Sequence, residues 1–176
     1  PGMKPTPRQL RQLAKEQGWS EDFDRYSDAQ LQACGLDAAA LDNLVLSQGA
    51  QHDWLMFNPY WDVSAFHLNP FLLADELMPG VLAAAQAFAD AQSLGVRLER
   101  WVSCSDSFLL GLNFVAKRRV WLDWLELADK LLRSADPLVA AHRDVLYALS
   151  GNFILMAHAP KLYAVDPFTL SALGNA

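Results

Sequence analysis

The sequence predicts an α/β fold, in which a small, mostly parallel or mixed sheet is flanked by helices. Short apolar runs at 53–57, 108–116 and 161–165 read as buried strands, and stretches of helical periodicity separate them. A series of short helices over residues 6–48 precedes the first strand. These observations favour helices around a sheet and a short helical N-terminal region before it.

Length and composition predict one domain. The chain has 176 residues, of which 52% are hydrophobic and 19% charged. Such a chain buries a sizeable core and is not expected to be disordered. We expect a single domain over residues 3–176, with a helical cap at 6–48 and an α/β core at 53–168.

The prediction of a helical cap at 6–48 rests on sequence motifs that are typical of helix N-termini. Thr6-Pro7-Arg8-Gln9 is a capping box with proline at the first helical position, and Ser27-Asp28-Ala29-Gln30 is a second capping box. Asp37 is expected to cap a third helix that ends near Gly49. Residues 27–48 contain no Lys or Arg, so a DNA-binding helix-turn-helix is not expected here.

The first half of the core is predicted to contain a strand and a long helix. The strand at 53–57 ends at Asn58-Pro59, and a loop or short strand follows up to Asn69. Pro79 opens a helix that ends at Gly95. Its predicted buried face consists of Val81, Leu82, Ala85, Phe88 and Ala89.

The second half is predicted to hold two further strands, with residues 109–116 beside 53–57. A helix over 118–133 follows, and Asp136-Pro137 caps the next one. Residues 152–157 fit helix or strand equally well. The apolar positions expected to be buried in these helices are Trp121, Trp124, Leu125, Ala128, Leu131, Leu132, Leu138, Val145, Leu146 and Leu149.

Charge and cysteine content narrow the function. The net charge of −6 disfavours nucleic acid and anionic membrane surfaces as partners. No apolar run approaches the roughly 20 residues of a membrane span. The two cysteines, Cys34 and Cys104, are expected to be free thiols in a reducing compartment, so we expect a cytoplasmic protein. We expect no metal site and no cofactor, because the common metal and nucleotide motifs are missing.

The segment Asn58–Asn69 is the strongest local candidate for a ligand site. It contains Asn58, Tyr60, Trp61, Asp62 and His67. Carboxylate and amide groups bind sugar hydroxyls, and aromatic faces pack on sugar or nucleoside rings. The alternative is a tightly packed loop whose polar groups satisfy the backbone and whose rings fill the core.

Other candidates lie around the second strand. Asp106 could place a carboxylate near one end of this strand, and Lys117 with Arg118 could meet a diphosphate at a helix N-terminus. Asn113, inside the apolar run, either pairs with backbone or points into a pocket. The alternatives are an ordinary turn at Asp106 and a solvated first turn at Lys117 and Arg118.

Strand direction decides which candidates can meet. Ligands bind beyond the carboxyl ends of parallel strands, so a parallel pair would bring 58–62 and 117–118 to one edge. An antiparallel pair would instead bring the Asp106 loop to residues 58–62 and move Lys117 away. We favour the parallel case, with Asp62 and Lys117 in one site.

Three segments also carry a family resemblance. They are DWLMFNPYWDVSAFHLN (53–69), SDSFLLGLNFVAKRRVWLDW (105–124) and KLYAVDPF (161–168). Together they resemble an uncharacterised group of proteins from bacterial capsule and lipopolysaccharide clusters, which look like reduced nucleotide-sugar glycosyltransferases. The matching positions are Asn58, Pro59, Asn113, Phe114, Ala116, Lys117, Tyr163, Asp166, Pro167 and Phe168.

The resemblance implies a nucleotide sugar or glycan as ligand. Because the three matching segments contain no DxD motif, the resemblance implies a metal-independent enzyme. Asp62 or Asp106 would be the base, and Lys117 and Arg118 would bind the leaving diphosphate. Tyr60 or Trp61 would stack on a ring. The alternative function is a non-catalytic binding or interaction module, and a protein partner or homo-oligomer stays open.

Overall fold

The computed structural model describes residues 38–57, 67–103, 107–165 and 172. The chain divides into two units, Pro1–Gly35 and Leu36–Ala176, and the whole of the first lies outside the described residues. The predicted capping boxes, both cysteines and Asp166–Phe168 lie outside them too. The predicted third helix belongs to the second unit, so the expected cap at 6–48 is divided between the two units.

The described part contains three short strands and more helix than strand. The helices are α1 Ala38–Gln48, α2 Pro70–Leu77, α3 Val81–Ala91, α4 Arg118–Leu132, α5 Pro137–Ala141, α6 Arg143–Ala148 and α7 Ser150–His158. A 3-10 turn covers Leu98–Arg100. The strands are β1 Trp54–Phe57, β2 Phe114–Ala116 and β3 Leu162–Val165. This is the small α/β fold with flanking helices that the sequence predicts.

The sheet is mixed, in the order β2-β1-β3. β1 is antiparallel to β2, with Trp54 opposite Ala116, and parallel to β3, with Trp54 opposite Leu162. The sequence predicted a mostly parallel or mixed sheet with β1 and β2 as neighbours, and both points are confirmed. The parallel direction favoured for the β1–β2 pair is wrong.

The second strand is shorter than predicted. At Leu109 its backbone pairs with a side chain and not with a neighbouring strand. The buried Asn152 accepts a hydrogen bond from the Leu109 N–H (3.3 Å) and donates one to the Leu109 carbonyl (2.9 Å). Gly111 then adopts a positive φ of 99°, which interrupts an extended chain. Within the run at 108–113 only Phe108 and Leu109 are buried, and only Phe114–Ala116 pairs as strand.

Helix α2 is missed by the sequence analysis, which placed Asn69 at the end of a ligand loop. Asn69 is the N-cap: its Oδ1 accepts from the N–H groups of Phe71 (2.9 Å) and Leu72 (3.1 Å). Its Nδ2 donates to the Leu98 carbonyl at 2.6 Å. An asparagine cap followed by Pro70 at the first helical position is a start signal that the sequence does contain.

Most of the residues predicted to be buried in helix α3 are buried. Val81, Ala85, Phe88 and Ala89 are buried, and Leu82 is half-buried. The Asp75 carboxylate caps the start of α3 by accepting from the N–H groups of Gly80 (2.9 Å) and Leu82 (3.0 Å). The rings of Phe88 and Phe71 lie 5.1 and 5.2 Å from that of Phe153 on α7, which joins three helices in one core.

Helix α4 is rotated relative to its predicted orientation. Trp124, Ala128 and Leu131 are buried as predicted, but the core-facing stripe is completed by Val120 and Leu127. The predicted burial is wrong for Trp121, Leu125 and Leu132, which are 37%, 52% and 47% exposed. The indole N–H of Trp124 donates to the Ser150 hydroxyl at 2.9 Å. This contact with α7 directs the Trp124 side of the helix inward.

The C-terminal helices resolve the remaining ambiguity. Asp136 caps α5 as predicted, with its Oδ1 accepting from the N–H groups of Leu138 (2.8 Å) and Val139 (3.1 Å). Val139 is buried, whereas the predicted Leu138 is 39% exposed. The segment 152–157 is helical, inside α7. No helix in the described ranges is long and apolar enough to cross a membrane.

The rotation of α4 gives a stability prediction. Trp124→Ala removes a buried ring and the hydrogen bond to Ser150, so it should lower the free energy of unfolding by about 3–5 kcal/mol. Leu125→Ala, one residue away on the exposed side, should change it by less than about 1 kcal/mol. Chemical denaturation measures both variants, and equal losses would contradict the observed orientation.

Candidate functional site

The candidate site forms where β1 begins. Because β2 is antiparallel and β3 parallel to β1, the start of β1, the end of β2 and the start of β3 share one edge of the sheet. Backbone hydrogen bonds join them there through Asp53. Its carbonyl accepts from the Lys117 N–H at 2.9 Å, and its own N–H donates to the Lys161 carbonyl at 2.7 Å.

The Asp53 side chain binds two cations and a backbone N–H. Its Oδ1 lies 3.3 Å from Lys117 Nζ, and its Oδ2 lies 2.5 Å from an Arg119 guanidinium nitrogen. Oδ2 also accepts from the Lys161 N–H at 3.1 Å. The carboxylate is largely buried, whereas the side chains of Lys117 and Arg119 are 43% and 67% exposed. Each cation therefore keeps a surface open to solvent.

These contacts keep the carboxylate ionised. The Lys161 N–H hydrogen bond is the main reason that the pKa of Asp53 lies below its usual value of 3.8, and Lys117 and Arg119 add to it against the opposing effect of burial. A carboxylate with a lowered pKa is a weak general base. Asp53 therefore positions the cations and is poorly suited to accept a proton.

The same edge presents the start of α4. Lys117 is the N-cap residue, but its side chain makes no capping hydrogen bond. The N–H groups of Val120 and Trp121 both donate to the Lys117 carbonyl, at 2.9 and 3.2 Å. In the described part of the chain, the N–H groups of Arg118 and Arg119 have no hydrogen-bond acceptor. Free N–H groups and the helix dipole favour an anion at such a position.

A partly exposed aromatic ring lies one turn further along α4. Trp121 is 37% exposed, and its ring centroid lies 4.6 Å from that of Phe114 on β2 and 5.5 Å from that of Trp124. These neighbours fix the indole on the sheet. The start of α4 therefore combines cations, unpaired N–H groups and an aromatic surface.

The antiparallel pairing separates candidates that the sequence analysis grouped together. Lys117 lies beside Asp53, where β1 begins, whereas the chain leaves β1 for residues 58–62 at the other end. The parallel direction of β1 and β2, on which the expectation of a shared edge for 58–62 and 117–118 rests, is therefore wrong, and residues 58–62 themselves lie outside the described residues. Asn113 lies at the far edge, where its carbonyl accepts from the Phe57 N–H at 2.9 Å.

The two histidines near the first strand and the other candidate residues from the sequence have the following positions. His52 Nδ1 is hydrogen-bonded to the Gln48 carbonyl at 3.1 Å, and its ring lies 4.9 Å from that of Tyr163, so these contacts give His52 a structural role. His67 is half-buried ahead of α2, and its role in a ligand site stays a prediction. The candidates outside the described residues are Asn58, Tyr60, Trp61, Asp62 and Asp106.

The described residues also line an open cleft of about 380 Å³ next to the start of β3. Its lining carries no charged side chain, so these residues supply no acid or base. The lining residues are Trp101, Val102, Ser107, Leu155, Met156, Ala159, Pro160 and Leu162. Within the described ranges, no three His, Cys, Asp or Glu side chains are grouped so that they could hold a metal ion.

Sequence reasoning missed Asp53 as the centre of this cluster, although it named Lys117 and Arg118. The available signal is an acidic residue directly before one apolar strand and three consecutive cations directly after another. Comparison with known proteins found no matching family model, curated protein or solved structure.

The lowered pKa of Asp53 predicts a pH-dependent effect. Asp53→Asn removes the ion pairs and should destabilise the fold by about 1–2 kcal/mol at neutral pH, since both cations are largely exposed. A carboxylate with a lowered pKa stabilises the fold above its unfolded pKa, here about 3.8, and the stabilisation is lost as pH falls through the lower folded value. The difference from wild type should therefore shrink below pH 3.8.

Chemical denaturation from neutral to acidic pH measures this difference. Glu126→Gln is the control, because Glu126 pairs with Lys130 at 2.6 Å on the exposed side of α4 and should contribute little. A difference between wild type and Asp53→Asn that stays constant through acidic pH would contradict the assigned ionisation of Asp53.

Proposed function

We propose that the protein binds a nucleotide sugar, with the diphosphate at the start of α4. The observation that carries this proposal is the pairing of Lys117 and Arg119 with a single carboxylate, Asp53, beside the unpaired N–H groups of Arg118 and Arg119. Cations that are already oriented bind phosphate with little loss of side-chain entropy. Because Asp53 orients them and is itself largely buried, the phosphate meets their exposed nitrogen atoms.

The local charge supports an anionic ligand. Two cations against one carboxylate leave excess positive charge at this edge, and Arg118 adds an exposed cation, although the whole chain has a net charge of −6. The N-terminal end of the 15-residue helix α4 adds the positive end of its dipole. A diphosphate matches these groups better than a neutral glycan does, because charge-assisted hydrogen bonds are the stronger ones.

The aromatic neighbour supports a ring on the same ligand. Trp121 is one helical turn from Lys117, and part of its indole is open to solvent. A base or sugar ring can pack on this surface while the phosphates stay at the helix start. A nucleotide sugar combines an anionic diphosphate with such rings.

The chemistry of Asp53 favours binding over catalysis by the described cluster. A transfer reaction needs a base for the acceptor hydroxyl, and the lowered pKa of Asp53 makes it unsuited to that role. Within this proposal, transfer therefore depends on Asp62 or Asp106. Without either of them, the protein is a nucleotide-sugar binding module.

The binding proposal predicts a specific loss in two variants. Lys117→Gln and Arg119→Gln should each weaken binding of a uridine diphosphate sugar about tenfold, because each removes a charge-assisted hydrogen bond. Isothermal titration calorimetry at low salt measures the affinity. Lys130→Gln, an equal charge change about three turns further along α4, is the matched control and should bind like wild type.

Two results would contradict the proposal. The first is the absence of binding to nucleoside diphosphate sugars and to pyrophosphate by folded wild-type protein. The second is an equal loss in Lys130→Gln, because this would reflect net charge alone. Melting curves of each variant establish that it is folded.

A transfer assay separates the enzyme from the binding module. If the protein is an enzyme, either Asp62→Asn or Asp106→Asn should reduce sugar transfer or donor hydrolysis by about 100-fold or more, as expected for loss of a general base. If both variants keep the wild-type rate, or wild type has no activity while it binds the donor, the protein is a binding module.

A further inference from the structure

The outer surface of α4 carries an exposed apolar stripe with an opposite charge near each end. Leu122 and Leu125 are 49% and 52% exposed. The exposed residues Arg118 and Asp129 continue the same surface on either side of them. Positions 118, 122, 125 and 129 alternate in steps of four and three residues, so they form one line along the helix.

We propose that this stripe binds a second copy of the same chain as an antiparallel helix pair. In this pairing, Leu122 of one copy packs against Leu125 of the other, and Arg118 of one copy faces Asp129 of the other. A two-fold axis between the copies generates each contact twice.

Charge complementarity selects both the partner and the direction. The stripe is basic at its start and acidic eleven residues later, so an antiparallel copy places opposite charges together at both ends. A parallel copy would place Arg118 against Arg118 and Asp129 against Asp129, which is repulsive. The alternation of four and three residues is that of helix pairs in which side chains interlock.

The contacts that the stripe makes within its own chain leave it free to pair with a second copy. Asp129 pairs with Arg133 at 2.7 Å, but the two side chains are 56% and 78% exposed, and such surface pairs are weak. The Asp129 carboxylate can therefore accept Arg118 of the second copy as well. The overlap from 118 to 129 is about 17 Å long, so the interface is small and the dimer should be weak.

The inference is independent of the proposed ligand. The proposed contacts to the diphosphate come from the side chains of Lys117 and Arg119 and from the backbone N–H groups of Arg118 and Arg119. The Arg118 side chain, which in that proposal adds only to the local positive charge, makes the dimer contact. Variants of Leu122 and Leu125 leave the Asp53 cluster intact. Loss of dimerisation with normal nucleotide-sugar binding therefore distinguishes the two proposals.

Sedimentation velocity of the full 176-residue chain tests the dimer. Over a concentration series from about 5 to 300 µM, wild type should shift towards the dimer by mass action. Leu122→Gln and Leu125→Gln should each weaken association about tenfold or more. Leu132→Gln, an equally exposed leucine of α4 beyond the overlap, is the matched control and should associate like wild type.

A charge exchange tests the direction of the pair. Arg118→Glu and Asp129→Arg should each weaken association, and the double variant should restore it. The exchange places an acidic residue in the first turn and a basic residue near the last turn of α4, so it also suits the helix dipole. Circular dichroism of each variant confirms that the fold is kept.

Three results would overturn the inference. A wild-type chain that stays monomeric at every concentration leaves this stripe to a different protein. A dimer that is unchanged in Leu125→Gln is formed by another surface. A double charge variant that associates no better than the single variants rules out the antiparallel register.

Discussion

The arrangement of the sheet depends on one buried carboxylate. Asp53 stands directly before β1, and through backbone and side chain it contacts the end of β2, the start of β3 and the first turn of α4. A sheet of three strands with three or four residues each has few ladder hydrogen bonds to fix its register. The carboxylate supplies directional contacts at the edge where all three strands can be held together, and the same contacts orient Lys117 and Arg119.

The sequence predicts the elements of this fold better than their pairing. The cap at Asp136 follows from local chemistry that the sequence displays directly, because its carboxylate accepts from N–H groups of the helical turn that follows it. The strand at 108–116 is overestimated because its apolar run continues through two positions that do not extend the sheet, Leu109, which pairs with a side chain, and Gly111, whose φ is positive. Asn152, 43 residues away in sequence from Leu109, satisfies the backbone there, and no local pattern announces such a distant contact.

The orientation of α4 shows a second limit. Its apolar residues cover such a wide arc that two buried faces, related by a rotation of roughly 60°, fit the periodicity almost equally well. The contact between Trp124 and Ser150 and the packing of Trp121 on Phe114 belong to the tertiary structure and select one of them. This orientation leaves three large apolar side chains exposed on the solvent-facing side of α4, namely Leu122, Leu125 and Leu132. Such a patch on a protein surface often marks an interaction site.

Strand direction has the largest consequence for the site. Lys117 and Arg118 were recognisable as candidates because three consecutive cations before an amphipathic helix are conspicuous in an acidic chain. The partner of Lys117 and Arg119 was not recognisable, since Asp53 reaches these two cations only when β2 runs antiparallel to β1. Phe57, the last residue of β1, lies at the opposite edge of the sheet, where its N–H donates to the Asn113 carbonyl. A carboxylate from residues 58–62 can therefore join the cations at the start of α4 only if the chain returns across the sheet.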